Sequence, residues 1–184
     1  SEKSLSYQRQ LIKFCRACGS AVLYRLPDDG DTKERAVCTV CHLVHYENPL
    51  NVVGTVPHLG TRVLLCKRNI EPRKGKWTLP AGFMELGEST ADGAARETLE
   101  EAGAQFNMGE LLTVMSVPRV GQVHLYYLAQ LTSDQFNPGF ETQEARLFLE
   151  SEIPWDELAF RTVQETLRHY FEDRQSGWSG RHPA

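Results

Sequence analysis

The chain has 184 residues, of which 41% are hydrophobic and 24% charged, values ordinary for one globular domain with a small addition. Its formal net charge of −4 at pH 7 argues against a protein held to nucleic acid or to an anionic membrane by bulk charge. No apolar run approaches the roughly 20 residues of a membrane span and the first residues lack the apolar core of a secretory signal, so we expect a cytoplasmic protein.

Four of the five cysteines stand in two C-x2-C pairs, Cys15 with Cys18 and Cys38 with Cys41. The two pairs are 19 residues apart, a spacing typical of a tetrahedral Zn²⁺ site whose four ligands are all thiolates. Two redox or disulfide pairs are the alternative, which an intracellular compartment disfavours. A site closed by four thiolates is structural, because metal binding supplies folding energy to a segment with little core of its own.

The segment around these cysteines is rich in turn residues, with Pro27-Asp28-Asp29-Gly30-Asp31 between the two pairs. This pattern predicts a hairpin within a zinc ribbon over residues 11–48. His42 and His45 follow the last cysteine closely and could replace one thiolate, although a surface or strand position is the more ordinary role of such histidines.

A second domain is expected over residues 49–175, because the pattern changes after Asn48-Pro49. Two apolar runs, 52–56 and 62–68, predict strands joined by a turn at Leu59-Gly60. The fifth cysteine, Cys66, lies in the second of these runs, where a small buried hydrophobic side chain is expected. Further strands are predicted at 77–79, 111–118, 123–131 and 145–149, and helices at 154–158 and 161–172.

One helix is predicted over residues 90–102. Ser89 can act as its N-cap, with Asp92 three residues later in a capping-box arrangement. Gly103 suits its C-terminal end. Small side chains occupy one stripe of this helix and allow it to approach a sheet closely.

Three carboxylates, those of Glu97, Glu100 and Glu101, are neighbours on the other side of this helix. Each like-charge pair costs a few tenths of a kcal/mol. A divalent cation such as Mg²⁺ or Mn²⁺, which prefers oxygen ligands, would remove this repulsion. A solvated acidic helix face is the alternative.

Residues 82–104 match the Nudix box, and the chain is therefore identified as a member of the Nudix hydrolase superfamily. The matching fixed positions are Gly82, Glu88, Arg96, Glu97, Glu100, Glu101 and Gly103. The resemblance implies an α/β/α sandwich that hydrolyses a nucleoside diphosphate linked to another group. Two packing positions depart from the family: Thr98 stands where an aliphatic residue is usual, and Ala104 where a larger one is.

The resemblance also implies roles for the residues of the box. Glu97 and Glu101 would be ligands of one to three Mg²⁺ or Mn²⁺ ions, and Glu100 a ligand or a partner of the general base. A backbone carbonyl at Ala81 or Gly82 would add an oxygen ligand. Arg96 and Glu88 would pair and orient the set.

Many members draw a further glutamate from a loop after the box, for which Glu144 is the first choice here and Glu141 the second. Arg68 is the best candidate for holding substrate phosphates. It belongs to a basic group before the box that also includes Lys67, Arg73, Lys74 and Lys76.

A cysteine ribbon before a Nudix domain is similar to the bacterial NADH pyrophosphatases. Their Ser-Gln-Pro-Trp-x-Phe-Pro-x-Ser signature is replaced here by Ser116-Val117-Pro118-Arg119-Val120-Gly121-Gln122. The chain resembles the plant chloroplast FAD/ADP-ribose pyrophosphatases more closely, from Phe14 to Glu172. Among the shared segments are Tyr46-Glu47-Asn48-Pro49 and Ile153-Pro154-Trp155-Asp156-Glu157-Leu158-Ala159-Phe160.

This second resemblance implies hydrolysis of FAD or ADP-ribose to give AMP, a small-molecule substrate and, as in many zinc-ribbon Nudix enzymes, a possible homodimer. The plant transit peptide has no counterpart, so a bacterial-type cytoplasmic relative is expected. NADH or NAD hydrolysis and a non-catalytic ADP-ribose sensor are the alternatives. Trp77, Tyr126 and Tyr127 are candidates for stacking a substrate ring, or belong to the core.

Overall fold

The structure, a computed structural model, describes residues 10–177 and the backbone of residues 182–183. The chain forms two compact units. The first unit contains the part up to Pro49 together with Arg119–Gly121, and the second contains Leu50–Pro118 and the part from Gln122 onward.

The first unit holds a three-stranded antiparallel sheet in the order β1-β2-β3. Its strands are β1 (Val22–Arg25), β2 (Arg35–Cys38) and β3 (Val44–His45). The turn-rich residues between the cysteine pairs connect β1 to β2, as predicted for a hairpin. The segment is therefore a small ribbon, with one cysteine pair before β1 and the other at the end of β2.

The second unit is built on a mixed sheet in the order β10-β5-β4-β9-β8-β11, with β6 pairing β5 and β7 pairing β4. The pairing of β4 with β9 is parallel, whereas β5 pairs with β4 and β8 with β9 in antiparallel fashion. The strands are β4 (Leu50–Leu59), β5 (Arg62–Arg68), β6 (Trp77–Thr78), β7 (Ala81–Phe83), β8 (Phe106–Val117), β9 (Gln122–Leu131), β10 (Thr142–Leu149) and β11 (His182–Pro183).

Alternate residues of the sheet face two separate apolar clusters, one on each side. Val56, Val63 and Leu65 pack with four side chains of helix α2 (Arg161–Ser176). Leu64 and Cys66 pack instead in a second cluster with Ala102, at the end of helix α1 (Thr90–Ala102). A sheet between two helices is the α/β/α sandwich that the sequence predicts.

Helix α1 has the predicted limits. The Ser89 side chain accepts from the Asp92 backbone N–H over 3.1 Å, the Asp92 carboxylate accepts from the Ser89 N–H, and Gly103 has the left-handed φ of 58°. The predicted helix at 154–158 is instead a short 3-10 turn, Trp155–Glu157, that follows Pro154. Neither α1 nor α2, the α-helices in the described part of the chain, combines the length and apolar character that a membrane crossing requires.

Candidate active site and zinc centre

The four cysteines of the ribbon converge. Their sulfur atoms all lie within 4.8 Å of one another, and all four side chains are free thiols. Cys15 Sγ is 3.6 Å from Cys41 Sγ, and Cys18 Sγ is 3.5 Å from Cys38 Sγ, so sulfurs of different pairs approach each other as they do around one ion. Four sulfur donors at these separations fit tetrahedral Zn²⁺.

The two histidines after Cys41 stand outside this cluster. His45 is buried on β3, with Nδ1 3.1 Å from the carbonyl oxygen of Ala36 and Nε2 accepting from the Arg16 N–H over 3.3 Å. His42 lies in the turn between β2 and β3 with a φ of 63°. The cluster therefore consists of cysteines alone.

In the second unit, Arg96 of α1 connects three carboxylates. Its guanidinium donates two hydrogen bonds to Glu88, of 3.0 and 2.8 Å, and one of 2.8 Å to Glu97. A longer contact of 3.3 Å reaches Glu100, and the carbonyl of Phe83 accepts a further bond. The Arg96 hydrogen bonds lower the pKa of Glu88 to about 2, so the pair is fully charged at neutral pH.

Glu97 and Glu101 both meet strand β7. The Glu101 carboxylate accepts from the Ala81 backbone N–H over 3.0 Å, and the Glu97 carboxylate fills the space that a Cβ atom at Gly82 would need. Glycine is therefore required at residue 82 for this carboxylate to lie against the strand. Two acidic groups thus meet one dipeptide of β7.

Burial raises the pKa of Glu101 to about 8, an effect to which the neighbouring Glu97 charge adds. Burial also raises the pKa of Glu97, although its bond from Arg96 opposes this. Two mostly buried carboxylates offer oxygen donors alone, which fits a hard divalent cation. Glu100 differs from them, because its side chain is 59% exposed.

The three glutamates of the box do not form one tight cluster here. Among the residues that the structure describes, the cysteines are the one group of three or more acidic, histidine or cysteine side chains close enough to hold an ion. Arg96 lies between Glu97 and Glu100 and compensates their repulsion. From the sequence, Arg96 is expected to pair with Glu88 and orient the set, and relief of the repulsion is expected from a cation rather than from this arginine.

Glu144 lies on β10 and pairs with a residue outside the acidic group of Glu97 and Glu101. It forms an ion pair of 2.8 Å with Arg146, whose guanidinium lies over the rings of Trp77 and Phe148. Those rings belong to the cluster on the α2 side of the sheet, whereas Ala145 packs on the α1 side.

Glu141, the second choice, precedes β10, and its negative charge adds to the upward pKa shifts of both Glu97 and Glu101. Its backbone carbonyl accepts from the Asn69 N–H over 2.8 Å. The charge of Glu141 therefore reaches Glu97 and Glu101, which makes it a candidate for the additional carboxylate beside Glu144.

Arg68 ends β5 close to the acidic groups. Its charge opposes the upward shift in the pKa of Glu101, and its guanidinium lies 5.0 Å from the ring centre of Phe160. The Arg68 Nε donates to the carbonyl of Pro72, which orients the side chain.

Two of the three aromatic residues considered for ring stacking are core residues. Trp77 and Tyr126 belong to the apolar cluster on the α2 side. Tyr127 is half-buried, with its hydroxyl 2.6 Å from Thr90 Oγ1. Of the two roles considered for Trp77 and Tyr126, the structure therefore shows the core role.

Thr98 explains one departure from the Nudix pattern. Its hydroxyl lies 2.6 Å from the Thr55 hydroxyl of β4 and donates to the Ala94 carbonyl, and both threonines are fully buried. The hydroxyl pair joins α1 to the central sheet next to Glu97. A polar residue at a usually aliphatic position indicates a buried hydrogen bond at residue 98. Its partner, Thr55 of β4, is brought to it only by the tertiary fold and could not be read from the local sequence.

Comparisons with known proteins match both units. Residues 49–173 match the family model described as NUDIX domain, and residues 13–47 match the one described as Nudix N-terminal. The crystal structure of a NUDIX hydrolase from Nitrosomonas europaea superposes with a TM-score of 0.88 at 49% sequence identity, covering 94% of this chain and 97% of that one.

Two curated relatives share less of the sequence. The ADP-ribose pyrophosphatase of Methanocaldococcus jannaschii is 30% identical over 119 residues, which cover 62% of this chain and 69% of the relative. The NAD-capped RNA hydrolase NudC of Vibrio parahaemolyticus is 25% identical over 178 residues, which cover 93% of this chain and 66% of the relative. The chain thus spans about two thirds of the length of these proteins.

Proposed function

We propose that this chain, which belongs to the Nudix hydrolase family, cleaves the diphosphate bond of a nucleoside diphosphate linked to another group. ADP-ribose and FAD are the proposed substrates, with AMP as the common product. The arrangement of Glu97 and Glu101 at the Ala81–Gly82 strand carries this proposal, because it brings two carboxylates together against one short strand. That donor set suits a hard divalent cation, which a charged diphosphate needs before water can attack it.

A Mg²⁺ or Mn²⁺ ion bound by Glu97, Glu101 and a carbonyl of Ala81 or Gly82 would neutralise phosphoryl oxygens and lower the pKa of a bound water. Arg96 fixes the rotamer of Glu97 through its 2.8 Å bond, and Glu88 in turn fixes Arg96. Glu141 supplies a further acidic oxygen from the loop before β10.

The remaining steps use the exposed side chains around the carboxylates. Glu100 is exposed and its contact with Arg96 is long, so its carboxylate is free to accept the proton of the attacking water. The Arg68 guanidinium holds a phosphate oxygen, since it lies near Glu101 and is already oriented by Pro72. These assignments account for every charged residue of the predicted site except Glu144.

The four ribbon thiolates would hold one structural Zn²⁺, and we propose that residues 11–48 and 49–175 fold as separate domains. Zn²⁺ on four thiolates has no open position for substrate, so the ribbon stabilises structure and takes no part in hydrolysis. A second copy of the chain is its proposed protein partner.

The substrate choice follows from two likenesses. The plant-type sequence motifs favour FAD and ADP-ribose, and the Methanocaldococcus jannaschii relative is named for ADP-ribose. NAD or NADH is the second candidate, favoured by the longer match to a NudC relative but opposed by the segment from Ser116 to Gln122, which lacks the aromatic NADH signature.

A substrate panel tests the proposal. FAD, ADP-ribose, NADH and NAD⁺ are each incubated with the protein and with Mg²⁺ or Mn²⁺, and AMP is measured by chromatography. We expect the highest rate with ADP-ribose or FAD, and loss of AMP formation without the divalent ion. The exposed Glu110 of β8 provides a control, since Glu110→Gln should keep the activity that Glu101→Gln loses. Binding of ADP-ribose without any AMP would establish the sensor alternative instead.

A further inference from the structure

Phe140 is the most exposed aromatic side chain among the residues whose burial the structure describes. The residue is 87% exposed, compared with 66% for Phe14 and 55% for Tyr46. An aromatic ring left in water forfeits the free energy that its burial would give, so a solvated phenylalanine is unfavourable for the folded chain alone.

The backbone around Phe140 is held firmly in place. The Phe140 carbonyl accepts from the Asn69 side-chain amide over 2.9 Å, and the Glu141 carbonyl accepts from the Asn69 backbone N–H over 2.8 Å. Gly139 donates to the Glu100 carbonyl over 3.2 Å, and a Cβ atom at residue 139 would overlap that oxygen. The exposed ring therefore projects from a fixed turn.

Residues of the proposed active site lie on both sides of this turn. One side is the helical turn that carries Glu100, and the other is the end of β5, where Arg68 precedes Asn69. Phe140 is also adjacent to Glu141, and consecutive Cα atoms are about 3.8 Å apart. A diphosphate held between Arg68 and the carboxylates would extend its attached nucleoside over this turn.

The base of a nucleoside diphosphate substrate has a planar, apolar face that can stack on an exposed phenylalanine ring. Adenine and other bases stack on aromatic side chains, and stacking of one base contributes about 1–3 kcal/mol to binding in nucleic-acid complexes. Trp77 and Tyr126 cannot serve, because both are buried in the core. We infer that the Phe140 ring is the surface on which the base of the substrate stacks, an inference that rests on the proposed function.

Steady-state kinetics with ADP-ribose test this role. Phe140→Ala should raise KM about tenfold, with a smaller change in kcat, because the base is bound before and during hydrolysis. Phe140→Trp should keep KM near the wild-type value, whereas Phe140→Leu, which is apolar but not planar, should behave like the alanine variant. Leu50→Ala is the control, since Leu50 is an exposed apolar residue of β4 in the same unit, and its KM should not change.

A wild-type KM in Phe140→Ala, or full recovery by leucine, would overturn the inference. A change in sedimentation of Phe140→Ala with no change in KM would also overturn it, because the ring would then serve contact between copies of the chain.

Fluorescence separates this inference from the proposed function. In Phe140→Trp the new indole should be quenched by AMP and by ADP-ribose but not by ribose 5-phosphate, which has no base; the signal of the three native tryptophans is subtracted with the parent chain. Quenching by AMP in a protein that hydrolyses none of the panel supports the stacking role and refutes the activity. Hydrolysis without base-dependent quenching refutes the stacking role and leaves the activity standing.

Discussion

The backbone N–H of Ala81 donates to the carboxylate of Glu101 over 3.0 Å, and this bond ties the last turn of helix α1 to the short strand β7. The same carboxylate is mostly withdrawn from water, and burial raises its pKa to about 8. An acidic group in such a place is unfavourable for folding unless a cation joins it. Its position therefore makes stability and activity respond in opposite directions to substitution.

Glu101→Gln should lower the rate of AMP formation at least about 100-fold, since removing even an outer partner of a metal site costs 10- to 100-fold. The same change should raise the free energy of unfolding in Mg²⁺-free buffer at pH 7 by an amount on the order of 1 kcal/mol, because the carboxyl must take up a proton to be buried at this pH and the amide need not. Urea unfolding and the AMP assay measure the two effects. A variant that is both less stable and inactive would indicate a purely structural role for Glu101.

The additional carboxylate can be assigned by comparing two neighbouring variants. Glu141→Gln should lower kcat roughly 10-fold or more, because the Glu141 charge reaches both Glu97 and Glu101. Glu144→Gln should keep kcat near the wild-type value, because its carboxylate pairs with Arg146. Rates measured over a range of Mn²⁺ concentrations give the comparison. The opposite ranking would support Glu144 as the ligand and contradict the proposed role of Glu141.

Local sequence signals predicted α1 well. Ser89, Asp92 and Gly103 act through bonds within a few residues of each other, so the sequence contains all the information that sets the limits of the helix. The α/β/α sandwich was predicted through the Nudix box, and the comparisons confirm the family.

The choice between Glu141 and Glu144 depends on information that is not local. The face that each residue of β10 presents is set by its register with β5, and this register shifts between Thr142 and Glu144. The bridging of Glu97 and Glu100 by Arg96 was missed for a similar reason, since the arginine rotamer is set by Glu88 and by the carbonyl of Phe83. The predicted roles of the box residues in catalysis stay predictions.

The Thr55–Thr98 pair should stabilise the attachment of α1. Thr98→Val removes one hydroxyl and leaves the other buried without its partner, so we expect a loss of about 1–3 kcal/mol in the free energy of unfolding. The double variant Thr55→Val with Thr98→Val should recover part of that loss, because neither site then keeps an unpaired hydroxyl. Urea titrations of the parent chain, the two single variants and the double variant give the interaction free energy of the two hydroxyls. Strictly additive losses would show that the two hydroxyls do not interact.

The zinc assignment can be tested with two equally buried cysteines. Cys38 and Cys66 are each 1% exposed, but only Cys38 belongs to the sulfur cluster. Cys38→Ala should lose bound zinc, and Cys66→Ala should keep one zinc per chain, as measured by elemental analysis of the purified proteins. Zinc at full occupancy in Cys38→Ala, or none in the wild-type chain purified with added zinc, would contradict the four-thiolate site.

Acid stability should depend on His124 of β9. The ring is held between Gln122 Oε1, 2.8 Å from Nε2, and Thr162 Oγ1, 3.1 Å from Nδ1, and burial lowers the pKa of the histidine below its ordinary value of 6.5. Because the unfolded chain binds the proton more readily, this ring contributes stability above pH 6.5 that is lost as pH falls through its folded-state pKa. His124→Gln should therefore remove this contribution, so the free energy of unfolding of the variant should rise relative to that of the parent chain as pH falls from 7 to 5. His58, whose pKa burial lowers, and Glu101, whose raised pKa makes stability increase as pH falls, contribute to the parent chain and to the variant alike. A variant with the same pH dependence as the parent chain would therefore contradict the assignment.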